Sequence, residues 1–320
     1  MNRRTLLLAA PALVASARAQ SWPSRPIRLL IPYPPGGLTD VMARMIAEPL
    51  RITLGQPVVI ENRAGAAGAI AMREVAQAAP DGHTLVITNN GPTSIIPALR
   101  RDAGYDAVHS FTPLALVALQ PLVLLSSTEQ LPVQDLAGLV AYAKARPGQL
   151  NFASGGVGSL GHLGGLLFNR EAGINVVHVP YQGAAPTLTA VVSGQVHFAV
   201  TSFTTTAAEQ VVGGRLRLLG VSSPEAWPLL PETPTMASVA PGFQAQAWHG
   251  VLGPAGLPPA IVARLNTEID KVLAEPAVRS RFRASGVEAG GGGSEALAQR
   301  IRAEVPQWQA VIRDAGLVVE

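Results

Sequence analysis

Two glycine-rich loops hold the residues of this chain best suited to chemistry, and that chemistry is anion binding. They are residues 34–40 (PPGGLTD) and residues 154–162 (SGGVGSLGH), and a helical pattern follows each of them. The start of a helix leaves four backbone N–H groups unpaired and carries a partial positive charge. Glycine lets a ligand approach those groups closely, so both loops are candidate carboxylate sites. The alternative, that the glycines only form tight turns, stays open from spacing alone.

Simple energetics favour a site that the two loops share. If the loops lie on opposite lobes, a carboxylate between them takes hydrogen bonds from both, each contributing about 1.5–3 kcal/mol. A few such bonds reach the roughly −8 kcal/mol of a micromolar site without any cationic side chain. We therefore predict a small organic carboxylate as the ligand.

The second loop also matches the dinucleotide-binding fingerprint through Gly156, Gly158 and Gly161. It follows a predicted strand and opens a predicted helix, as that fingerprint requires. A nicotinamide dinucleotide also needs an acidic residue about twenty positions on, at the end of the next strand. Residues 177–181 (VHVPY) contain no acid. The sequence therefore disfavours a dinucleotide, and we predict no cofactor.

A serine hydrolase is the second enzyme class that these residues suggest. A nucleophile elbow has glycine two positions before and two positions after the serine. Ser159 follows Val157 and Ser154 follows Phe152, so neither serine fits. No aspartate is placed to orient His162, and a serine that caps the helix is the better interpretation. We predict no catalytic residue, with a hydrolase built on Ser159 and His162 as an alternative.

Composition excludes several other kinds of site. The chain has 320 residues, of which 48% are hydrophobic and 14% charged, and it has no cysteine. Disulfides, thiolate metal sites and cysteine nucleophiles are thereby excluded. The six histidines show no metal-ligand spacing, so we predict no metal. Basic residues are not concentrated in a block, so a nucleic-acid partner is not expected.

The first nineteen residues are typical of an export signal. Arg3 and Arg4 precede a short apolar run, and small residues at positions 17–19 (ARA) fit a signal peptidase site. The paired arginines also fit a twin-arginine signal. We predict a signal peptide at residues 1–19 that is cleaved near Ala19, with an uncleaved membrane anchor as the alternative. Removing three arginines from the 24 basic residues leaves 21, which balance the 21 acidic ones.

Predicted strands and helices alternate along most of the remaining chain. Apolar, β-rich runs predict strands at residues 26–31, 57–60, 84–87, 123–125, 150–153, 176–179 and 196–200. Helical periodicity begins at Thr39, where Pro49 is expected to end the helix early, and recurs at residues 65–79, 135–146, 158–172, 184–193, 261–273 and 294–315. This alternation favours parallel sheets covered by helices, with ligands at the carboxyl ends of the strands. The roughly 300 residues after the leader exceed the length at which a single hydrophobic core usually keeps growing, so two domains are predicted.

Several short motifs resemble one known family. They include residues 26–37 (PIRLLIPYPPGG), 61–63 (ENR), 80–85 (PDGHTL), 178–183 (HVPYQG), 231–235 (PETPT) and 248–250 (WHG). In this order they resemble the tripartite tricarboxylate transporter receptors, also called Bug-type binding proteins. The resemblance covers nearly the whole chain after the leader. It implies an α/β, two-lobed periplasmic binding protein fold, a Venus flytrap of type II-like topology with crossing hinge strands.

The resemblance also implies a domain division and a biological role. Lobe 1 is expected at residues 20–119 and 245–320, and lobe 2 at residues 120–244. The role is that of a periplasmic, monomeric, non-catalytic receptor, which delivers an organic acid to the membrane components of a tripartite transporter. A subunit that senses the ligand for a signalling partner remains an alternative.

Site residues follow from the resemblance position by position. In the first lobe they are Tyr33, Pro35, Gly36, Gly37, Asp40, Asn89 and Asn90. In the second lobe they are Ser154, Gly155, Gly158, Ser159, His162, Tyr181 and Gly183. For Tyr33 and Tyr181 core packing is an alternative, and Asp40 is also suited to capping the first helix.

One departure from the family bears on the ligand. Many relatives carry an aspartate after the strand at residues 196–200, where it can pair with the ammonium group of an amino acid. This chain has Thr201 and Ser202 there. An ammonium buried without a counter-charge is costly. We therefore include Thr201 in the site and predict an acid without an amino group.

Overall fold

The strands of the protein form two separate sheets. The computed structural model describes residues 22–100 and 102–317, so the predicted signal peptide lies outside the described residues. Within those ranges the strands are β1 (Ile27–Ile31), β2 (Val58–Asn62), β3 (Thr84–Asn89), β4 (Phe111–Gln120), β5 (Leu122–Ser127), β6 (Asn151–Ser154), β7 (Val177–Pro180), β8 (Phe198–Ser202), β9 (Leu216–Val221), β10 (Ala247–Pro254) and β11 (Glu288–Ala289).

Helices cover both sheets. Those in the described ranges are α1 (Leu38–Leu54), α2 (Ala69–Ala76), α3 (Ile96–Leu99), α4 (Leu136–Lys144), α5 (Leu160–Ala172), α6 (Ala184–Val192), α7 (Thr205–Val212), α8 (Pro259–Ala274), α9 (Pro276–Ala284) and α10 (Gly293–Asp314). A π-helical turn over Gly91–Ile95 leads from β3 into α3. Across residues 22–100 and 102–317, no helix combines the length and the apolar character needed to cross a membrane.

The first sheet has the strand order β11-β4-β10-β3-β1-β2. Strand β1 is parallel to β2 and β3, whereas β10 is antiparallel to β3 and β4. The carboxyl ends of β1 and β3 therefore lie at the same edge of the sheet. The first glycine-rich loop leaves that edge after β1, and Asn89 and Asn90 leave it at the end of β3.

The second sheet has the strand order β7-β6-β8-β5-β9. Strand β6 is parallel to β7 and β8, and β5 is antiparallel to β8 and β9. The second glycine-rich loop follows β6, and Thr201 and Ser202 end β8. Both loops thus begin at carboxyl ends of parallel strands, where ligands of α/β sheets bind.

Two neighbouring crossings connect the sheets. Strand β4 passes into β5 through Pro121, and the chain returns before β10. The N–H of Leu122 donates to Oγ of Ser222 at 2.7 Å, and that hydroxyl donates to the carbonyl of Ala245 at 3.0 Å. The N–H of Ser222 donates to the carbonyl of Leu122 at 2.8 Å. These bonds hold the two crossings together as the predicted crossing strands require.

The last helix contacts both halves of the molecule. Leu297 and Ile301 pack in the core beside the first sheet. Trp308 and Ile312, farther along the same helix, pack in the core beside the second sheet. The predicted assignment of residues 245–320 to lobe 1 remains a prediction, since α10 spans both cores.

One sequence expectation about the helices is wrong. Pro49 does not end the first helix, because α1 continues to Leu54 and ends at Gly55, which adopts a left-handed conformation (φ 71°). A proline inside a helix removes one backbone hydrogen bond. Burial of Leu50 and Leu54, which follow Pro49 and pack in the hydrophobic core beside the first sheet, offsets this cost.

Seven elements were absent from the sequence prediction, namely β4, β9, β10, β11, α3, α7 and α9, and one helix is shorter than expected. Strand β4 was not anticipated, β10 lies in a segment expected to be an irregular excursion, and α9 lies between two helices that a glycine run was expected to separate. The helix predicted at residues 65–79 begins only at Ala69, because Ala66 and Ala67 have positive φ values of 46° and 53°.

Candidate functional site

A cleft of about 650 Å³ lies between the two sheets, and both glycine-rich loops line it. The predicted site residues that line this cleft are Tyr33, Pro35, Gly37, Asn89, Asn90, Gly155, Gly158, Ser159 and Thr201. They come from both sheets and from both loops. The arrangement that the two-loop hypothesis required is therefore present.

The first loop presents an open helix terminus to the cleft. Gly37 is the N-cap of α1, and no side chain caps that helix. Leu38 and Thr39, the first residues of the helix, line the cleft. Because the first four N–H groups of a helix have no partner within it, this terminus offers donors to a ligand.

Asp40 holds the first loop in place rather than lining the cleft. Its carboxylate accepts hydrogen bonds from Nε of Arg44 at 2.9 Å, the N–H of Gly36 at 3.1 Å and Nδ2 of Asn62 at 3.1 Å. The bond from Arg44 is the main cause that lowers the pKa of Asp40 to about 2. Asp40 is therefore ionised, and the hydrogen bonds to its carboxylate compensate for the cost of burying the charge.

Neutral groups hold the second loop. Oγ of Ser159, the N-cap of α5, accepts a hydrogen bond from the N–H of His162 at 3.2 Å. The N–H of Gly158 donates to Nδ1 of His162 at 3.1 Å. The ring of His162 stacks on that of His178 with 3.8 Å between centroids, and Nε2 of His178 lies 2.7 Å from Oγ of Ser154. Burial lowers the pKa of both histidines to about 4, so both rings are neutral.

Six of the predicted site residues do not line the cleft: Gly36, Asp40, Ser154, His162, Tyr181 and Gly183. Ser154 and His162 are used in the bonds that hold the second loop. Tyr181 packs against the core of the second sheet, as its alternative interpretation suggested. Gly183 is the N-cap of α6. It lies against the second loop, since a Cβ built on Gly155 would be 3.4 Å from the Cα of Gly183.

Backbone dipoles rather than charged side chains set the electrostatics of the cleft. In the described part of the chain, no lysine, arginine, aspartate or glutamate lines it. The first residues of three helices do: Leu38 of α1, Leu160 of α5 and Ala184 of α6. Each helix N-terminus carries about half a positive charge. The cleft therefore favours an anionic ligand although no charged side chain of the described residues lines it.

Tyr33 and Asn89 form a rigid pair on the first-sheet side. The hydroxyl of Tyr33 donates to Oδ1 of Asn89 at 2.8 Å, and the N–H of Gly91 donates to the same oxygen at 3.1 Å. Burial raises the pKa of Tyr33, so its hydroxyl stays protonated. The bonds fix the amide of Asn89, with its Nδ2 as the remaining donor group.

Asn90 connects the cleft to a buried carboxyl group behind it. Its Nδ2 lies 2.9 Å from both carboxyl oxygens of Glu304 in α10, and Nε1 of Trp248 donates to Oε2 of Glu304 at 2.9 Å. The carbonyl oxygen of the Asn90 side chain accepts from the N–H of Trp248. Burial raises the pKa of Glu304 to about 7. This network joins β3, β10 and α10 beneath the cleft.

Sequence reasoning missed part of the cleft lining. The missed residues include Thr39, Gly91, Gln120, Leu122, Gly161, Ala184, Val200, Ser202, Ala247 and His249. Most follow or precede a predicted residue and extend the same loop. Gln120, Ala247 and His249 come from the crossing region, and an assignment of β10 as a strand next to β3 would have been needed to find them.

The arrangement of serines and histidines does not form a catalytic triad. Among the described residues, no carboxylate lies within hydrogen-bonding distance of His162 or His178. The main chain also occupies Nδ1 of His162. No group of three or more His, Asp or Glu residues is placed to hold a metal ion in the part of the chain that the structure covers. The geometry fits ligand binding better than hydrolysis.

Comparisons with known proteins agree on one family. The family model described as tripartite tricarboxylate transporter family receptor matches residues 42–317. A protein of Pseudomonas sp. strain P51, from the tcbD–tcbE intergenic region, is 37% identical over 319 residues, covering 98% of this chain and 94% of its own. Protein BugT of Bordetella pertussis is 34% identical over 313 residues, covering 97% and 95%.

Solved structures are similar over nearly the whole described chain. Rpa4515 of R. palustris with adipate is 35% identical with a TM-score of 0.73, covering 93% of this chain and 99% of its own. MatC of Rhodopseudomonas palustris with bound malate is 34% identical with a TM-score of 0.70, covering 91% and 100%. A solute-binding protein from Polaromonas, 24% identical with a TM-score of 0.82 and coverages of 92% and 100%, shares the fold. These neighbours confirm the predicted two-lobed fold.

Proposed function

This chain belongs to the tripartite tricarboxylate transporter receptor family, and from that premise we propose that it is a periplasmic receptor for a small organic carboxylate. The observation that carries the proposal is a cleft between two sheets, lined by three helix N-termini and by no charged side chain of the described residues. Two neighbours of this fold were solved with adipate and with malate, which are both carboxylates.

The carboxylate lies at the N-terminus of α1, where Leu38 and Thr39 line the cleft and no side chain caps the helix. Each charge-assisted hydrogen bond contributes about 1.5–3 kcal/mol. The second loop, with Ser159 and Gly158, then closes on the ligand from the other side. A ligand shifts such a closure only through its extra affinity for the closed state.

Closure takes place around the two crossings at Pro121 and Ala245, where few strands join the sheets. The closed form is the state that the membrane components of a tripartite transporter recognise, and the receptor works as a monomer. The family is one of solute receptors, and delivery to a transporter is the function proposed for this chain.

The ligand has no amino group. Thr201 lines the cleft at the end of β8, where the family resemblance implies an aspartate in many relatives, and no acid among the described residues lines the cleft. A buried ammonium without a counter-charge is costly. We therefore expect aspartate and glutamate to bind much more weakly than amine-free acids of similar length.

A thermal-shift screen followed by titration calorimetry tests the proposal. The panel contains C4–C8 alkanoates, hydroxy acids and dicarboxylates, together with aspartate, glutamate and neutral sugars. We expect stabilisation by at least one class of amine-free acid, with a micromolar dissociation constant. Stabilisation by sugars alone, or by no acid, would contradict carboxylate capture, and micromolar binding of an amino acid would contradict the missing amine.

A further inference from the structure

His249 is a buried polar side chain of the cleft to which the binding scheme so far gives no role. It lies on β10, is 4% exposed and lines the cleft. Its Nδ1 has no hydrogen-bond partner among the described residues. Buried polar groups in proteins are almost always hydrogen-bonded, so an unpaired one at a cleft needs an explanation.

The neighbour of His249 across the sheet is also a polar residue with an unused donor. His249 and Asn89 are register partners on the antiparallel strands β10 and β3. Side chains of such partners project from the same face with Cβ atoms about 4.5–5.5 Å apart. Oδ1 of Asn89 is taken by Tyr33 and Gly91, and no bond from its Nδ2 is formed within the described residues. Two hydrogen-bonding groups thus stand side by side without partners.

The surroundings of His249 and Asn89 do not favour binding of a ligand through an ion pair. Ala247, two positions before His249 on β10, is apolar, and no charged side chain of the described residues lines the cleft. Burial lowers the pKa of His249 to about 4, so the ring is neutral at pH 7. A neutral imidazole has one N–H donor and one acceptor nitrogen. Together with Nδ2 of Asn89, it is suited to an oxygen atom that accepts hydrogen bonds.

We propose that His249 and Asn89 form a second polar subsite, at the crossing end of the cleft, for an oxygen atom at the far end of the ligand. The ligand is then a bifunctional acid, with one carboxylate at the helix termini and a hydroxyl or carboxylate oxygen at the other end. This subsite rests on the proposed function, because it forms hydrogen bonds with the second end of the same bound acid. Simple alkanoates lack the oxygen and leave the two donors unpaired.

Matched acids of equal length test the subsite by calorimetry at pH 7. One series is butyrate, 4-hydroxybutyrate and succinate, and the other is hexanoate, 6-hydroxyhexanoate and adipate. In the wild-type protein we expect the distal oxygen to improve affinity about tenfold or more over the alkanoate, as one buried hydrogen-bonding site allows. The hydroxy acid and the dicarboxylate distinguish the two sources of the oxygen.

Two variants and a control locate the effect. His249→Phe keeps an aromatic ring without polar atoms and is expected to reduce the affinity ratio between each acid with a distal oxygen and its matched alkanoate to about one. His249→Gln keeps a donor and is expected to retain part of the preference, which also covers the case of a poorly folding phenylalanine variant. His83→Phe is the control, because His83 is buried, lacks bonded ring nitrogens in the described region and does not line the cleft.

The outcomes separate this proposal from the proposed function. A preference that persists in His249→Phe, or equal affinities for all three acids of a length in the wild type, would overturn the subsite while leaving carboxylate capture intact. Failure of every acid in both series to bind the wild-type protein would overturn carboxylate capture and the subsite together. Loss of the preference in His249→Phe but not in His83→Phe supports it.

Discussion

The two glycine-rich loops face the same cleft but are held in opposite ways. The first loop is fixed by an ionised carboxylate, Asp40, and its helix α1 has no side-chain cap. The second loop is fixed by neutral imidazoles and hydroxyls, and Ser159 caps its helix α5. In the first loop the N–H of Gly36 donates to Asp40 while the start of α1 keeps its donors free of side-chain caps, whereas the second loop uses several N–H donors internally.

This difference assigns different tasks to the two loops. The open terminus of α1 provides the main hydrogen bonds to the carboxylate, since its donors have no other partner. The self-capped second loop keeps its shape without ligand and supplies a preformed surface for closure. Affinity should therefore depend more on the first loop than on the second.

The largest expected effect comes from filling the first loop. Gly37 has φ −75° and ψ 167°, which any residue adopts, and an added Cβ would come no closer than 3.9 Å to its nearest neighbour, the carbonyl oxygen of Pro34. Gly37→Val should therefore fold, yet obstruct the approach to α1. We expect affinity for the best acid of the panel to fall about a hundredfold or more, measured by calorimetry.

Gly37→Ala is the graded control for this variant, with a smaller loss expected. Gly36 and Gly158 are poorer test positions, because both have positive φ, and a Cβ on Gly158 would lie 2.8 Å from the side chain of Leu99. Unchanged affinity in a folded Gly37→Val protein would show that the carboxylate does not lie at α1.

The next effect is on stability and tests the ionic support of the first loop. Asp40→Asn keeps the side-chain shape but removes charge-assisted bonds, so we expect the free energy of unfolding at pH 7 to fall by about 1.5–3 kcal/mol. Because the folded pKa of Asp40 is lowered to about 2, this contribution is complete above pH 4 and is lost as pH falls through about 2.

Chemical denaturation at several pH values measures this effect. The matched control is Glu48→Gln on the same helix, which removes an exposed ion pair with Arg51 and should cost clearly less than Asp40→Asn. Equal losses in both variants would show that Asp40 contributes no more than a surface charge.

A smaller effect is expected in the second loop. Ser159→Ala removes the cap of α5, which typically costs about 1 kcal/mol of stability. We expect its loss of ligand affinity, by calorimetry, to be clearly smaller than that of Gly37→Val. The reverse order would mean that the second loop provides the main carboxylate contacts and that the comparison between the loops is inverted.

The smallest effect concerns the pH dependence of stability. The pKa of His162 and His178 is lowered to about 4, so their contribution to stability is complete above pH 6.5 and is lost as pH falls through about 4. The pKa of Glu304 is raised to about 7, so its contribution is complete below pH 4.5 and is lost as pH rises through 7. The two contributions oppose each other in the same pH window.

Removing one contribution should expose the other. In Glu304→Gln, we expect unfolding free energies from urea titrations to rise more steeply between pH 4.5 and 7 than in the wild-type protein. An unchanged slope would show that Glu304 titrates in the folded protein as it does in the unfolded chain.

Local patterns were sufficient to predict most of the fold. Strands such as β1 and β3 consist of short apolar runs ended by turn residues, and α5 lies between a capping serine and Gly173. Strand β10 escaped prediction because its residues are buried on both faces and follow a proline-rich segment. Its partners β3 and β4 are far away in sequence, so no local pattern identifies it.

The site shows the same division between local and distant information. Gly37 and Ser159 were predictable because a loop and the start of a helix are adjacent in sequence. The carboxylate of Asp40 turns towards Arg44 and Asn62 instead of lining the cleft, which only the folded loop reveals. His249 was missed because its position beside Asn89 depends on pairing between strands about 160 residues apart.

The position of β10 between β3 and β4 sets the order in which the molecule can be built. The first sheet cannot be completed until residues 247–254 have been synthesised, because they form its central hydrogen-bonded ladder. The hydrogen bond between Asn90 and Glu304 joins residues that are 214 positions apart, so it can form only after Glu304 has been synthesised. Contacts of such large sequence separation slow folding. In a nascent chain, β3 and β4 therefore lack their shared partner until residues 247–254 have been made, and the contact between Asn90 and Glu304 forms later still.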